Sequence, residues 1–237
     1  ADRDNITYDY GKNIKDFKGV DIDYLQEKIK LFNPNHSEKF DFPKPHGGGT
    51  AYMNTIDKDG LGVSLIQSNF HGIGSRIGVG SFGFFLHNRG CGFNLDSKHP
   101  NYLTPGRKPL HTLSPTIWSK NGNLEFIAGT RGGRYQPQLL IQTILPYIRK
   151  SDSFEKIIKE PRWVIENFSS ETISKLRFEK INNEDLEILL KKGHEVEVEN
   201  KLNKAYGPIS IIYKKDDGNF EGVCDVRVGT EKVFNSF

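Results

Sequence analysis

The chain has 237 residues and a mass of 26.9 kDa, enough for one large domain or two small ones. Its 33 basic and 30 acidic residues leave a net charge of +3, and they are scattered, which argues against nucleic acid or a membrane as partner. No run approaches the ~18 apolar residues of a bilayer span, and Cys91 and Cys224 form neither a disulfide framework nor a metal-ligand spacing, so no metal or cofactor is expected.

In chain order, residues 1–49 are polar and loosely patterned. Tyr24–Phe32 reads as a short amphipathic helix. Asn33–Gly49, rich in Pro, Gly, Asn and charge, reads as an exposed linker that ends in Gly47, Gly48 and Gly49. The texture changes at Thr50. Thr50–Ile56 and Gly62–Ser68 read as strands of a hairpin around Asp57-Lys58-Asp59-Gly60. Gly72–Gly83 is Gly-rich and passes into the aromatic run Phe82–Phe85. A loop of about 25 residues then runs from His87 to His111, and ordered loops of such length are usually functional. Ser114–Ser119 and Leu124–Gly129 make a second hairpin candidate around Asn121-Gly122. After Gly132-Gly133, Gln138–Ile148 reads as a buried helix. Ser153–Lys159 and Ser170–Leu176 read as short helices, and Asn183–Lys192 as a helix closed by Gly193. His194–Glu199 alternates as a strand whose acidic side chains suit a solvated edge. Ile209–Lys214 and Phe220–Asp225 form a closing hairpin across Asp216–Asn219. This mixture lacks a βαβ rhythm, so the expected class is α+β.

Two places carry chemistry. A threonine hydroxyl is a weak nucleophile at neutral pH, and one remedy is a free α-amine on the same residue acting as base. That requires the bond before Thr50 to break. Gly49 permits the backbone bend by which the Thr50 hydroxyl reaches its own preceding carbonyl. Read alone, a Gly-rich turn entering a strand such as Gly49-Thr50 usually means only a turn. Gly132-Gly133 can aim two backbone N–H groups at one point, as acyl transfer requires for its oxyanion, or can be a tight strand-to-helix connection.

Taken together, the motifs resemble the gamma-glutamyltransferase family of N-terminal-nucleophile hydrolases, over nearly the whole chain. Thr50-Ala51-Tyr52-Met53-Asn54-Thr55-Ile56-Asp57-Lys58-Asp59-Gly60 looks like the start of the family's small subunit. The blocks Pro105–Leu110, Leu113–Thr116, Gly129–Gly133, Glu160–Trp163, Lys192–Val196 and Asp225–Arg227 look like later parts of it, and Ala1–Asp4 like a late segment of the large subunit. The resemblance implies a four-layer αββα sandwich and cleavage of a proenzyme before Thr50. It casts Thr50 as nucleophile, Ser68 as the hydroxyl that orients it, and Gly132 and Gly133 as the oxyanion hole. Residues 1–49 would be the tail of a large-subunit region plus linker, and residues 50–237 the small-subunit catalytic region. Both would belong to one domain that needs an upstream large-subunit segment as partner.

The departures from the family pattern are informative. Ala51 stands at the second position of the usual Thr-Thr motif, and Tyr52 replaces a histidine of many members, a position suited to burial in the sheet. Where transpeptidases grip the glutamyl α-amine, this chain reads His87-Asn88-Arg89-Gly90-Cys91-Gly92-Phe93, with Arg89 bringing positive charge and Gly92 standing near the lost aspartate. His111-Thr112 replaces a pair of serines. A cationic site repels an ammonium and attracts a carboxylate. Arg89, His111 and Thr112 are therefore candidate substrate-binding residues, Arg89 as a carboxylate anchor or a structural ion pair. The pattern is closer to the branch with cephalosporin-acylase-like and oxamate-amidohydrolase-like members. The expected activity is hydrolysis of a small amide. Alternatives are a true γ-glutamyl transferase or hydrolase of glutathione-like substrates, or an unprocessed homologue with a structural or binding role. A homo-oligomer stays open.

Overall fold

The computed structural model describes residues 22–31, 35, 49–166, 175–229 and 233. Helix α1 (Ile22–Leu31) matches the predicted amphipathic segment. Strands β1 (Thr50–Ile56) and β2 (Gly62–Ser68) pair antiparallel from Thr50↔Ser68 to Ile56↔Gly62. Their turn closes as the sequence dictates. The Asp57 carboxylate accepts from the N–H groups of Asp59 (2.9 Å) and Leu61 (2.8 Å), and Gly60 takes the left-handed conformation (φ 85°).

Strands β3 (Thr116–Lys120) and β4 (Asn123–Thr130) form the second predicted hairpin, with Asn121 and Gly122 at positive φ in its turn. A 3-10 turn at Gly133–Tyr135 leads into helix α2 (Gln136–Ile148), followed by the short helix α3 (Phe154–Ile157). Strands β8 (Ile209–Lys214) and β9 (Phe220–Cys224) complete a sheet of order β3-β4-β8-β9. A second sheet holds β5 (Trp163–Glu166), β6 (Lys175–Phe178) and β7 (Glu195–Val198), with helix α4 (Asn183–Lys191) between β6 and β7.

Strand β4 explains the layering. Its side chains alternate between faces. Phe126 and Ala128 enter a buried cluster with Leu139, Leu140 and Ile144 of α2. Ile127 and Gly129 face the other way, against Gly62 of β2 and the Tyr52 ring of β1. The β4 sheet is therefore covered by a helix on one side and the β1–β2 hairpin on the other, giving three successive layers of the expected sandwich.

Two readings need correction. Lys175-Leu176 is not the end of a helix but the start of β6, which pairs parallel with β7 and antiparallel with β5. The period-2 alternation of Lys175 and Arg177 with Leu176 and Phe178 outweighs the Ser cap signal, and Ser170 itself lies outside the described residues. Strand β7 is an edge, as expected, but its acids are not merely solvated. Glu197 takes ion pairs from Arg177 (2.8 Å) and Lys175, and these hold its carboxyl down at about 2. Most of the linker, Gly47 and Gly48 included, also lies outside the described residues.

At the start of β8 and just past the end of β9 sits a buried ionic cluster. Arg162 pairs with Asp225, Arg227 pairs with both Asp225 and Glu179, and all four side chains are under 5% exposed. Two cations meet two carboxylates, and further bonds saturate them. Glu179 accepts from the N–H groups of Arg162 and Asn203, each at 2.7 Å, and Asp225 from Ile209 N–H at 3.0 Å. A side chain at Gly207 would strike Arg162 and Asp225, which explains the glycine there.

Candidate active site

The site begins with hairpin register. Because the Asp57–Gly60 turn fixes the pairing, the first residue of β1 stands opposite the last of β2, and Thr50 faces Ser68. The Thr50 hydroxyl donates to Ser68 Oγ at 3.0 Å, and Ser68 Oγ donates to the carbonyl oxygen of Gly49 at 3.0 Å. Phe70 N–H also donates to Ser68 Oγ, at 3.1 Å. A serine hydroxyl has one proton and two lone pairs, so Ser68 is fully used. Its proton lies on the carbonyl of the peptide bond before Thr50, and its lone pairs take Thr50 and the backbone. Gly49 and Thr50 are joined in this chain, and the bonds run between a candidate nucleophile and its own upstream peptide.

Phe70 adopts φ 77°, rare for a bulky residue and a mark of local strain. This conformation turns its N–H to Ser68 and its ring under Arg89, whose guanidinium carbon lies 5.0 Å from the ring centroid. Arg89 stands in a 3-10 turn (Arg89–Gly92) and is 5% exposed. One terminal nitrogen donates to Ser68 O at a long 3.5 Å, and the other has no hydrogen-bond partner among the described residues. Burial lowers its pKa. The loop is fastened by Asn88, whose side chain accepts from His71 N–H (2.9 Å) and donates to the carbonyls of His71 (3.2 Å) and Gly74 (3.1 Å).

His111 faces solvent near this group. Loss of ring hydration, then the charges of Arg89 and His87, lower its pKa from the usual histidine value. Thr112 is half-buried beside it. Gly132 (φ 127°) and Gly133 (φ 54°) follow β4 at the start of the 3-10 turn, where the first N–H groups have no partner within the helix. The structure thus brings Thr50, Ser68 and Arg89 into one network with His111 nearby. Among the described residues no hydrogen bond joins Thr112, Gly132 or Gly133 to it. Phe70 and Asn88 were not singled out from sequence. The segment His87–Phe93 drew attention to the loop, but nothing in sequence announces a phenylalanine at positive φ.

Comparison with known proteins places the chain in a family and a fold. A family model described as gamma-glutamyltranspeptidase matches residues 2–234. The glutathione hydrolase-like YwrD proenzyme of Bacillus subtilis is 35% identical over 78% of this chain, and the oxamate amidohydrolase proenzyme of Klebsiella pneumoniae 33% over 77%. The match spans 35% and 36% of those relatives' own length. Cephalosporin acylase from Bacillus halodurans superposes on 95% of this chain and 41% of its own, with a TM-score of 0.76 and 27% identity. A gamma-glutamyltranspeptidase from Pseudomonas nitroreducens gives a TM-score of 0.65 at 21% identity, over 78% of this chain and 99% of that one. The αββα fold expected from sequence is that of these structures.

Proposed function

Because the chain belongs to the gamma-glutamyltranspeptidase family, we propose that it carries the catalytic part of an amidohydrolase that cleaves itself before Thr50 and then uses Thr50 as nucleophile. The observation that carries this reading is the hydroxyl chain from Thr50 through Ser68 to the Gly49 carbonyl. In self-cleavage Thr50 Oγ bonds to the Gly49 carbonyl carbon. Its proton passes to Ser68 as Ser68 gives its own to the carbonyl oxygen. Collapse of the adduct breaks the Gly49–Thr50 bond and returns a proton to the departing amine. Water then splits the resulting ester, leaving a Gly49 carboxylate and a free Thr50 α-amine. Gly132 and Gly133 N–H groups steady the carbonyl oxygen as charge develops on it in both self-cleavage and turnover, and in turnover that amine is the base and water resolves the acyl-enzyme.

Arg89 supports a substrate with a carboxylate near the scissile amide. A buried guanidinium with an unpaired nitrogen is costly unless an anion meets it, and the same charge disfavours an α-ammonium. His111 and Thr112 would line this end of the site. Residues 1–49 would be the end of a large-subunit region and 50–237 the small subunit, with the preceding part of the proenzyme as partner. The outer face of the β1–β2 hairpin supports that partner, since Met53, Val63 and Leu65 are all about half exposed. The name of the first relative above keeps γ-glutamyl substrates as the second arm of the test. Turnover of a γ-glutamyl anilide is compared with that of amides whose acyl group carries a carboxylate but no amine. The second class is expected to win, and a wide margin for the glutamyl substrate would overturn the role given to Arg89.

A further inference from the structure

We propose that Tyr52 and Gly129 are a fitted pair that sets the spacing between the nucleophile strand and the oxyanion turn, which makes both positioning residues for self-cleavage. The inference rests on the reading of Thr50 as nucleophile and of Gly132-Gly133 as oxyanion donors.

Gly129 is buried in the interior of β4, and its φ is not in the left-handed region. Its backbone could therefore accept any residue, and a glycine inside a strand weakens it by giving up both packing and chain stiffness. Its reason is the neighbour. A Cβ at position 129 would stand 2.2 Å from Tyr52 Cε2 and 2.3 Å from Cζ, so the ring lies directly on the β4 backbone. A glycine inside a strand is a recognised mark of such close approach.

The ring is not free to swing away. Its hydroxyl is hydrogen-bonded to Ser64 Oγ on β2 at 3.0 Å, and Ser64 is the cross-strand partner of Asn54. Asn54, next on the same face of β1, donates its amide to the carbonyls of Ile127 (3.5 Å) and Ser210 (3.3 Å) on β4 and β8. The Tyr52 ring and the Asn54 amide thus tie the hairpin to the larger sheet, beside the contact of Ile127 with Gly62.

The position of this contact gives it its consequence. Tyr52 is two residues after Thr50 on the same face, about 7 Å along the strand. Gly129 is three residues before Gly132, in the strand that delivers the oxyanion turn. A shift of the ring on Gly129 therefore moves Thr50 relative to Gly132 and Gly133, and a displacement of about 1 Å can cost roughly a hundredfold in rate.

The test uses the full-length protein, with intact-mass time courses of self-cleavage and a melting temperature for each variant. Tyr52→Phe keeps the ring and is expected to cut near the wild-type rate. Tyr52→Val removes the ring and is expected to cut about tenfold slower or worse, and Gly129→Ala about a hundredfold slower. Combining Gly129→Ala with Tyr52→Val makes room for the new methyl, and the double variant is expected to cut about tenfold faster than Gly129→Ala alone. A double variant no faster than Gly129→Ala, or a folded Tyr52→Val cutting at the wild-type rate, overturns the inference. So does a cutting rate that follows melting temperature rather than the presence of the ring. Should Gly129→Ala fail to fold, the contrast between Tyr52→Val and Tyr52→Phe decides. Thr50→Ala separates the two levels. Cutting that survives it defeats the nucleophile assignment itself, whereas an inert Thr50→Ala beside an unimpaired Tyr52→Val defeats only the positioning pair.

Discussion

At the scale of single residues, Ser68 and Arg89 make opposite demands on the protein. Ser68 spends every hydrogen-bonding capacity it has, whereas Arg89 buries a donor that nothing among the described residues meets. Replacing Ser68 by Ala leaves the Thr50 hydroxyl and the Gly49 carbonyl without their shared partner. Self-cleavage is expected to slow about a hundredfold, the scale of losing one preorganised donor, while Ser68→Thr retains it. Mass spectrometry of freshly purified precursor reads this directly. Arg89→Met is expected to raise KM for carboxylate-bearing amides about tenfold or more without lowering the melting temperature, since it removes a poorly satisfied buried charge. A large loss of stability with KM unchanged would make Arg89 a structural residue. The Thr50–Ser68 pair was expected from the family resemblance, and the hairpin register set by the Asp57–Gly60 turn places the two opposite each other. The positive φ of Phe70 and the fit of Tyr52 on Gly129 were not legible in the sequence, because both depend on what the rest of the fold places beside them.

At the scale of elements, the sequence was read best where capping and turn residues act locally. Strands β1, β2, β8 and β9 and helix α4 lie where their patterns put them, and Asn182 caps α4 by accepting from Asp185 N–H at 2.8 Å. Asn182→Ala is expected to cost about 1 kcal/mol in denaturant unfolding. The three-stranded sheet was read worst. Strand β5 was not anticipated, and β6 was taken for the end of a helix, because four-residue strands give too short a period to outweigh a cap signal. Their register is marked instead by charge across the β6–β7 pair. Hydrogen bonds from Arg177 and Lys175 lower the Glu197 carboxyl from 4.5 to about 2. A depressed carboxylate stabilises the fold above its unfolded pKa and loses that contribution as pH falls through the folded one. Thermal melts of wild type and Glu197→Gln should therefore converge as pH is lowered from about 4.5 to 2, by a modest amount because the pair is exposed. Parallel pH curves would remove Glu197 from the acid response.

For the whole molecule, two features fall outside what local patterns convey. The Arg162–Asp225–Arg227–Glu179 cluster joins segments far apart in sequence, and its four charges are buried together. Burial, then the charge of Arg227, bring the Arg162 guanidinium down to about 10, still cationic at neutral pH. Asp225→Asn leaves a buried cation without its partner and is expected to cost about 3–5 kcal/mol in equilibrium unfolding. The sequence blocks containing Arg162, Asp225 and Arg227 were recognised, but neither Glu179 nor the meeting of the four was. The second feature is the exposed apolar face of the β1–β2 hairpin. If the preceding part of the proenzyme covers it, Leu65→Ala in the full-length protein should cost about 2–5 kcal/mol, as at a core position. A cost under about 0.5 kcal/mol, as at an open surface, would leave that face uncovered.

Whether Thr50 itself breaks the bond between Gly49 and Thr50 is decided by intact-mass analysis of the purified full-length protein. Two fragments are expected, the second beginning at Thr50, and a single uncut mass for Thr50→Ala. Full-length protein that stays whole through prolonged incubation, or a Thr50→Ala variant that still divides at this bond, would contradict it.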